Sequence, residues 1–141
     1  DGFFVMIEGG AVDWAGHDNR SGRLIEEMMD FNRAIEAVVE WVEQNSSWDE
    51  TLGVITGDHE TGFLGGPDAK EVFAPLTNNG EGQMPGMEWR SGSHTNSLIP
   101  FFAKGPGTEL YKAAADEIDP KRGPYLDNTE PAKVAFSVIE P

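Results

Sequence analysis

Apolar residues follow two rhythms along this chain. Residues 3–7 (Phe-Phe-Val-Met-Ile) form an unbroken apolar run, and residues 52–56 and 98–103 form two more. A short continuous run of this kind predicts a strand buried on both faces. Between the first two runs, Leu24, Met28, Phe31, Ile35, Val38 and Val42 recur at alternating intervals of four and three. That spacing draws one apolar stripe and predicts an amphipathic helix over about residues 22–44. Glu26, Glu27, Glu36, Glu40 and Glu43 fall mostly off the stripe and read as its solvated face.

Turn and capping residues divide these elements. Glu8-Gly9-Gly10 ends the first run, Asn45-Ser46-Ser47 breaks the helix, and Gly57-Asp58-His59 ends the second run. Residues 18–21 offer capping groups for the long helix. Residues 67–93 are rich in Gly, Pro and Asn and predict an irregular insertion, with one short strand near Val72 and Phe73. Pro100 marks the third run as an irregular or edge strand. Lys104-Gly105-Pro106-Gly107 is a turn, and residues 109–117 read as a short helix or a loop of helical character. Asp127 or Asn128 caps a last helix over about residues 129–138. Strands alternating with helices predict one α/β domain over residues 1–141 with a mostly parallel sheet. A doubly buried strand at residues 3–7 needs neighbours on both edges, so the sequence is expected to be part of a longer protein.

Charge narrows the functions open to such a domain. The chain has 141 residues, with 25 acidic against 10 basic and a net charge of −15. This balance argues against nucleic acid and against an anionic membrane surface as partners. It also repels a phosphate ester unless bound cations reverse the local field. No run approaches the ~18 apolar residues of a membrane span. With no cysteine, any metal must take His, Asp or Glu, which suits a catalytic zinc or a magnesium.

The donors present suit that role. His17 lies four residues after Asp13, a spacing that places both on one face if the segment is helical. Asp58 and His59 follow the second run, Glu8 follows the first, and His94 precedes the third. Sites in open α/β sheets form beyond the carboxyl ends of the strands. All three histidines of the chain therefore fall in settings that suit a metal, which points to hydrolysis. Trp14 and Trp41 read as packing groups, and Arg90 and Lys104 as surface charges, with an approach to phosphate as the alternative. Glu60 reads equally as a turn cap or as support for the site.

Residues 8–17 (Glu-Gly-Gly-Ala-Val-Asp-Trp-Ala-Gly-His), residues 56–62 (Thr-Gly-Asp-His-Glu-Thr-Gly) and Ser93-His94-Thr95 occur in the order and rough spacing of alkaline phosphatases. The intervening helix, with residues 25–27 and 31–35, and the strand and turn at residues 101–107 also resemble that family. The resemblance implies a three-layer α/β fold, incomplete here, of which this chain is the C-terminal part. It implies two zinc ions and one magnesium ion. Asp13, His17 and His94 would hold the first zinc, Asp58 and His59 part of the second, and Glu8 the magnesium. The family's serine nucleophile lies in its N-terminal half, and Ser21, Ser46, Ser91 and Ser137 lack its setting.

The resemblance thus implies phosphate-monoester hydrolysis through a phosphoserine in the complete protein, with little turnover by this chain alone. It implies the N-terminal half as a partner, a homodimer, and a periplasmic or secreted location. Two rivals stay open: another enzyme with the same metal core (a phosphodiesterase, phosphonate hydrolase or sulfatase relative), or a non-catalytic metal-binding module.

Overall fold

The computed structural model describes residues 2–67 and 74–139. Its elements are α1 (Ala11–His17), α2 (Ser21–Asn45), β1 (Gly53–Ile55), β2 (Glu60–Thr61), β3 (His94–Thr95), β4 (Phe102–Lys104), α3 (Thr108–Ala114), β5 (Glu117–Asp119), β6 (Gly123–Tyr125) and α4 (Glu130–Ile139). They form two compact units. The first comprises Asp1–Ile35 and His59–Ser97, the second Glu36–Asp58 and Leu98–Pro141, with α2 divided between them.

In the first unit, α1 carries the donors Asp13 and His17. Its end is dictated by local chemistry. Asn19 takes a left-handed backbone (φ 54°), its N–H bonds Gly16 O, and the Arg20 N–H bonds Ala15 O. This closing pattern satisfies the last helical carbonyls, and Asn is among the few residues that tolerate it. Ala15 is 3% exposed and sits with Gly16 on the covered side of the helix. Strand β2 pairs antiparallel with β3, matching Glu60 to Thr95 and Thr61 to His94.

In the second unit, β1 pairs antiparallel with β4, from Gly53↔Lys104 to Ile55↔Phe102. The buried apolar side chains described there are Val42, Tyr111 and Val134, at 2%, 4% and 8% exposure. Tyr111 on α3 lies 5.0 Å from the Phe101 ring, centroid to centroid. Helix α3 packs on α4, where a Cβ on Gly107 (φ 88°) would come within 2.9 Å of Val138. Lys104 sits 4.2 Å above the Trp48 ring, a cation–π contact. A hairpin joins β5 to β6, with Asp119 opposite Gly123.

Several expectations need correction. Among the described residues the three small sheets are each a two-stranded antiparallel pair, so the mostly parallel sheet that the alternation of runs predicted is not seen within them. The run at residues 3–7 belongs to none of them and is exposed, from 53% at Ile7 to 78% at Met6. A doubly buried strand needs a ladder on each edge and a layer on each face. The described residues build their pairs from other segments. The third run enters a strand only at its end, at Phe102–Lys104, downstream of Pro100. Trp14 and Trp41 are 72% and 45% exposed, so neither is a buried core group.

The long helix stands where its spacing predicts, as Ser21–Asn45. Its stripe is unevenly covered, however: Val42 is buried while Met28 and Val38 are both 39% exposed. Glu27 is not on a solvated face. Its side chain is 17% exposed and pairs with Arg23 at 2.7 Å. The predicted strand near Val72 and Phe73 lies outside the described residues.

Candidate metal centre

The first unit gathers four of the predicted donors. In α1, Asp13 and His17 are one turn apart on one face, with His17 Nε2 3.5 Å from Asp13 Oδ2. Residues β3 and β2 supply the others. His94 opens β3, and its Nε2 lies 3.6 Å from Asp13 Oδ1 and 3.0 Å from His17 Nε2. His59 precedes β2, and its ring stacks on that of His94 with centroids 3.6 Å apart. Asp13, His59 and His94 each present a ligand atom within 4.8 Å of the others.

Supporting hydrogen bonds orient these side chains. His17 Nδ1 lies 2.8 Å from the carbonyl of Gly92. A carbonyl only accepts, so Nδ1 carries a proton there, and Nε2 is the nitrogen that faces Asp13 and His94. This is the arrangement that metal-bound histidines adopt. Thr61 Oγ1 donates to Asp13 Oδ1 at 2.5 Å and lies 3.2 Å from His59 Nδ1. The Thr61 hydroxyl, followed by the nearby imidazoles, holds the Asp13 carboxyl below its ordinary value against the opposing effect of burial. Asp13 is thus favoured in the ionised form that a cation needs.

The backbone allows this only because two glycines stand aside. A Cβ on Gly16 would lie 3.1–3.2 Å from Thr61, so α1 approaches β2 closely. At Gly62 (φ 91°) a Cβ would fall 2.5 Å from the Trp89 ring and 2.9 Å from Gly16 O. Trp89 is anchored by its Nε1 donating to Ser21 Oγ at 2.8 Å.

The other predicted residues stand apart. Glu8 lines an open pocket of ≈ 240 Å³ together with Glu27, Asp30 and Phe31. Asp58 falls in the second unit, next in sequence to His59. Among the described residues, neither joins a cluster of three or more metal-binding side chains. Glu60 is both a cap and a support. Its Oε1 accepts from the Leu64 N–H at 3.3 Å, and its Oε2 accepts a short bond from the Thr95 hydroxyl across the β2–β3 pair. Arg90 is not a surface charge: its side chain is 16% exposed and bonds Glu88 Oε2 and Gly66 O, both at 2.9 Å. Thr61 was missed by sequence reasoning. It follows His59 by two residues, but the cross-strand register that sets it opposite His94 and the close approach of α1 are what bring it to Asp13.

Asp13 with His59 and His94, and His17 with its Nε2 facing that of His94, offer the carboxylate and imidazole donors that suit a divalent zinc-like ion. Two Nε2 atoms at 3.0 Å need a proton or a cation between them. A second cluster, Asp116, Glu117 and Glu130, also meets the spacing for a cation, but it is made of carboxylates alone. There the burial and the neighbouring Asp116 and Glu130 charges raise the Glu117 carboxyl.

The comparisons with known proteins agree on one family. The family profile described as alkaline phosphatase matches residues 1–85. Alkaline phosphatase 3 of Bacillus subtilis is 45% identical, over 99% of this chain and 40% of its own length. Among solved structures, the alkaline phosphatase from the Antarctic bacterium TAB5 is similar with a TM-score of 0.54 and 34% identity, over 72% of this chain and 28% of that one. A TAB5 variant with magnesium bound in its M3 site matches with a TM-score of 0.53 and 33% identity, over 72% of this chain and 29% of that one. The chain spans about 40% of the length of the curated relatives matched over nearly all of it.

Proposed function

The chain belongs to the alkaline phosphatase family, and from that premise we propose that it is the metal-holding portion of an enzyme hydrolysing phosphate monoesters. The observation that carries this reading is the convergence of Asp13, His17 and His94, with Nε2 atoms 3.0 Å apart and the carboxylate within 3.6 Å of both. These three residues would hold the first zinc ion, three protein ligands being the number a catalytic zinc takes. His59 and Asp58 contribute to the second zinc site, and Glu8 to a magnesium site. Magnesium prefers six oxygen ligands, so further oxygens come from elsewhere in the complete protein. The magnesium-bound TAB5 relative supports a metal-dependent reading of the family.

When bound, the ions stabilise the attacking and leaving oxygens of phosphoryl transfer and lower the pKa of a bound water. This chain's own residues prepare that chemistry. Asp13, kept ionised by Thr61, offsets the cationic charge while leaving a net positive site in an acidic protein. His17 is fixed in one orientation by Gly92. The nucleophilic serine, which forms the phosphoserine intermediate, and the remaining ligands belong to the rest of a longer protein. That protein is a dimer with an exported location. Among the described residues, no helix is long and apolar enough to cross a membrane. The complete fold is the family's three-layer α/β type.

The test is phosphate binding. Inorganic phosphate is expected to bind the zinc-loaded chain, and to bind neither the metal-free chain nor the zinc-treated His94→Ala variant. Turnover of p-nitrophenyl phosphate by the chain alone should be negligible. Zinc binding without any phosphate binding would reduce the cluster to a structural metal site and overturn the catalytic reading. Strong zinc-dependent turnover, abolished by His94→Ala, would overturn the assignment of the nucleophile to another segment.

A further inference from the structure

Thr61 stands where two sets of donors meet. Strand β2 places it directly opposite His94, and Gly16 lets α1 come close enough for its hydroxyl to touch Asp13. Its Oγ1 is 2.5 Å from Asp13 Oδ1 and 3.2 Å from His59 Nδ1. On the reading above, Asp13 belongs to the first zinc site and His59 to the second.

The hydroxyl has one proton to give. An ionised carboxylate can only accept, so that proton goes to Asp13 Oδ1. A hydroxyl lone pair is then left facing His59 Nδ1. Nδ1 answers it by bearing a proton, and in the neutral ring the lone pair then lies on Nε2. A single side chain thus settles two choices. It occupies one oxygen of Asp13, and it favours the His59 tautomer with the proton on Nδ1.

We propose that Thr61 is a positioning residue that couples the ligands of the two zinc sites, fixing the Asp13 carboxylate and the His59 tautomer together. The proposal rests on the metal reading above, and it gives a role to a motif residue that is not itself a ligand. The hydroxyl is the working group. The methyl does no more than pack near Gly16, where a Cβ would lie 3.1 Å from it.

The experiment compares Thr61→Val, which keeps the shape and removes the hydroxyl, with Thr61→Ser, which keeps the hydroxyl. Two readouts are taken on the whole chain. Zinc affinity is measured by competition with a chromophoric chelator. The histidine tautomers of the metal-free chain are read from long-range proton–nitrogen spectra. Thr61→Val is expected to weaken zinc binding by about 10–100-fold, the range for lost supporting bonds. It should also move His59 away from the Nδ1–H form. Thr61→Ser should restore both.

Unchanged zinc affinity and an unchanged His59 tautomer in Thr61→Val would overturn the proposal. So would a Thr61→Ser variant as impaired as Thr61→Val, since packing would then explain the loss. If Thr61→Val does not fold, the tautomer and affinity of Thr61→Ser alone decide: wild-type values support the hydroxyl, and Thr61→Val-like loss of the Nδ1–H form refutes it. A wild-type chain that binds no zinc defeats the metal reading itself, and the tautomer spectra still judge Thr61 separately.

Discussion

The Nε2 atoms of His17 and His94 lie 3.0 Å apart, although the residues are 77 positions apart in sequence. The Gly92 carbonyl fixes the proton of His17 on its other nitrogen. On the proposed metal reading, the pair would act with Asp13 as one set of ligands rather than as two separate ligands. Either His17→Ala or His94→Ala should weaken zinc binding more than about 100-fold, beyond the cost of losing a supporting bond. The double variant should be little worse than either single one, since ligands of one ion are not additive. Calorimetric titration of the four chains checks this. Small losses that simply add would mean that the two rings do not share an ion.

Gly62 carries the turn that follows the donors. Its φ of 91° disfavours any side chain, and a Cβ would fall 2.5 Å from the Trp89 ring. Backbone strain and steric overlap here reinforce each other, so Gly62→Ala should cost more than about 2 kcal/mol of stability. The Gly62 N–H also bonds Ser93 O at 3.0 Å, beside His94. Zinc affinity should fall along with the urea midpoint. A stable Gly62→Ala chain with normal zinc binding would contradict this local geometry.

What could be read in the sequence was what depends on local rhythm. Helix α2 was legible because six apolar residues at fixed spacing need no distant partner. Asp13 and His17 were legible as a pair because one helical turn separates them. Thr61 was not, because it reaches the site through pairing with a strand more than thirty residues away. Residues 3–7 misled for the opposite reason: hydrophobicity predicts burial, but a covering layer must exist to provide it. Arg90 was read as exposed because nothing local shows that the Gly66 carbonyl would claim it. The β5–β6 hairpin was missed although its signal was present. Asp119 Oδ1 accepts from the Lys121 and Arg122 N–H groups, and Gly123 (φ 87°) completes the turn.

Two residues of the same apolar stripe test how α2 is covered. Val42 is 2% exposed and Met28 is 39% exposed. Val42→Ala removes two methyl groups from a filled position and should cost about 2 kcal/mol. Met28→Ala should stay within about 0.5 kcal/mol of the parent. Urea denaturation of both variants decides the matter. Equal losses would mean that the whole stripe is buried, as spacing alone predicts.

The last helix, α4, begins with a reciprocal cap. Asp127 Oδ1 accepts from the Thr129 N–H at 3.0 Å and from its hydroxyl at 2.7 Å. Glu130 Oε2 accepts in return from the Asp127 N–H at 2.7 Å. This capping box satisfies donors that the helix itself leaves bare. The Thr129 hydroxyl, then the Thr129 amide, holds the Asp127 carboxyl below its ordinary value. A depressed folded-state pKa means that the ionised form is favoured by folding. The contribution is therefore complete above the unfolded value of about 3.9 and is lost as pH falls through the lower folded value. Asp127→Ala should lower the thermal midpoint by a few degrees near neutral pH. Asp127→Asn keeps a capping oxygen but carries no charge, so its deficit against the parent should be present at neutral pH and shrink below about pH 3.9. Melting curves of the metal-free parent and Asp127→Asn chains across that range provide the measurement. A gap that does not change with pH would show that the charge of Asp127 adds nothing to the cap.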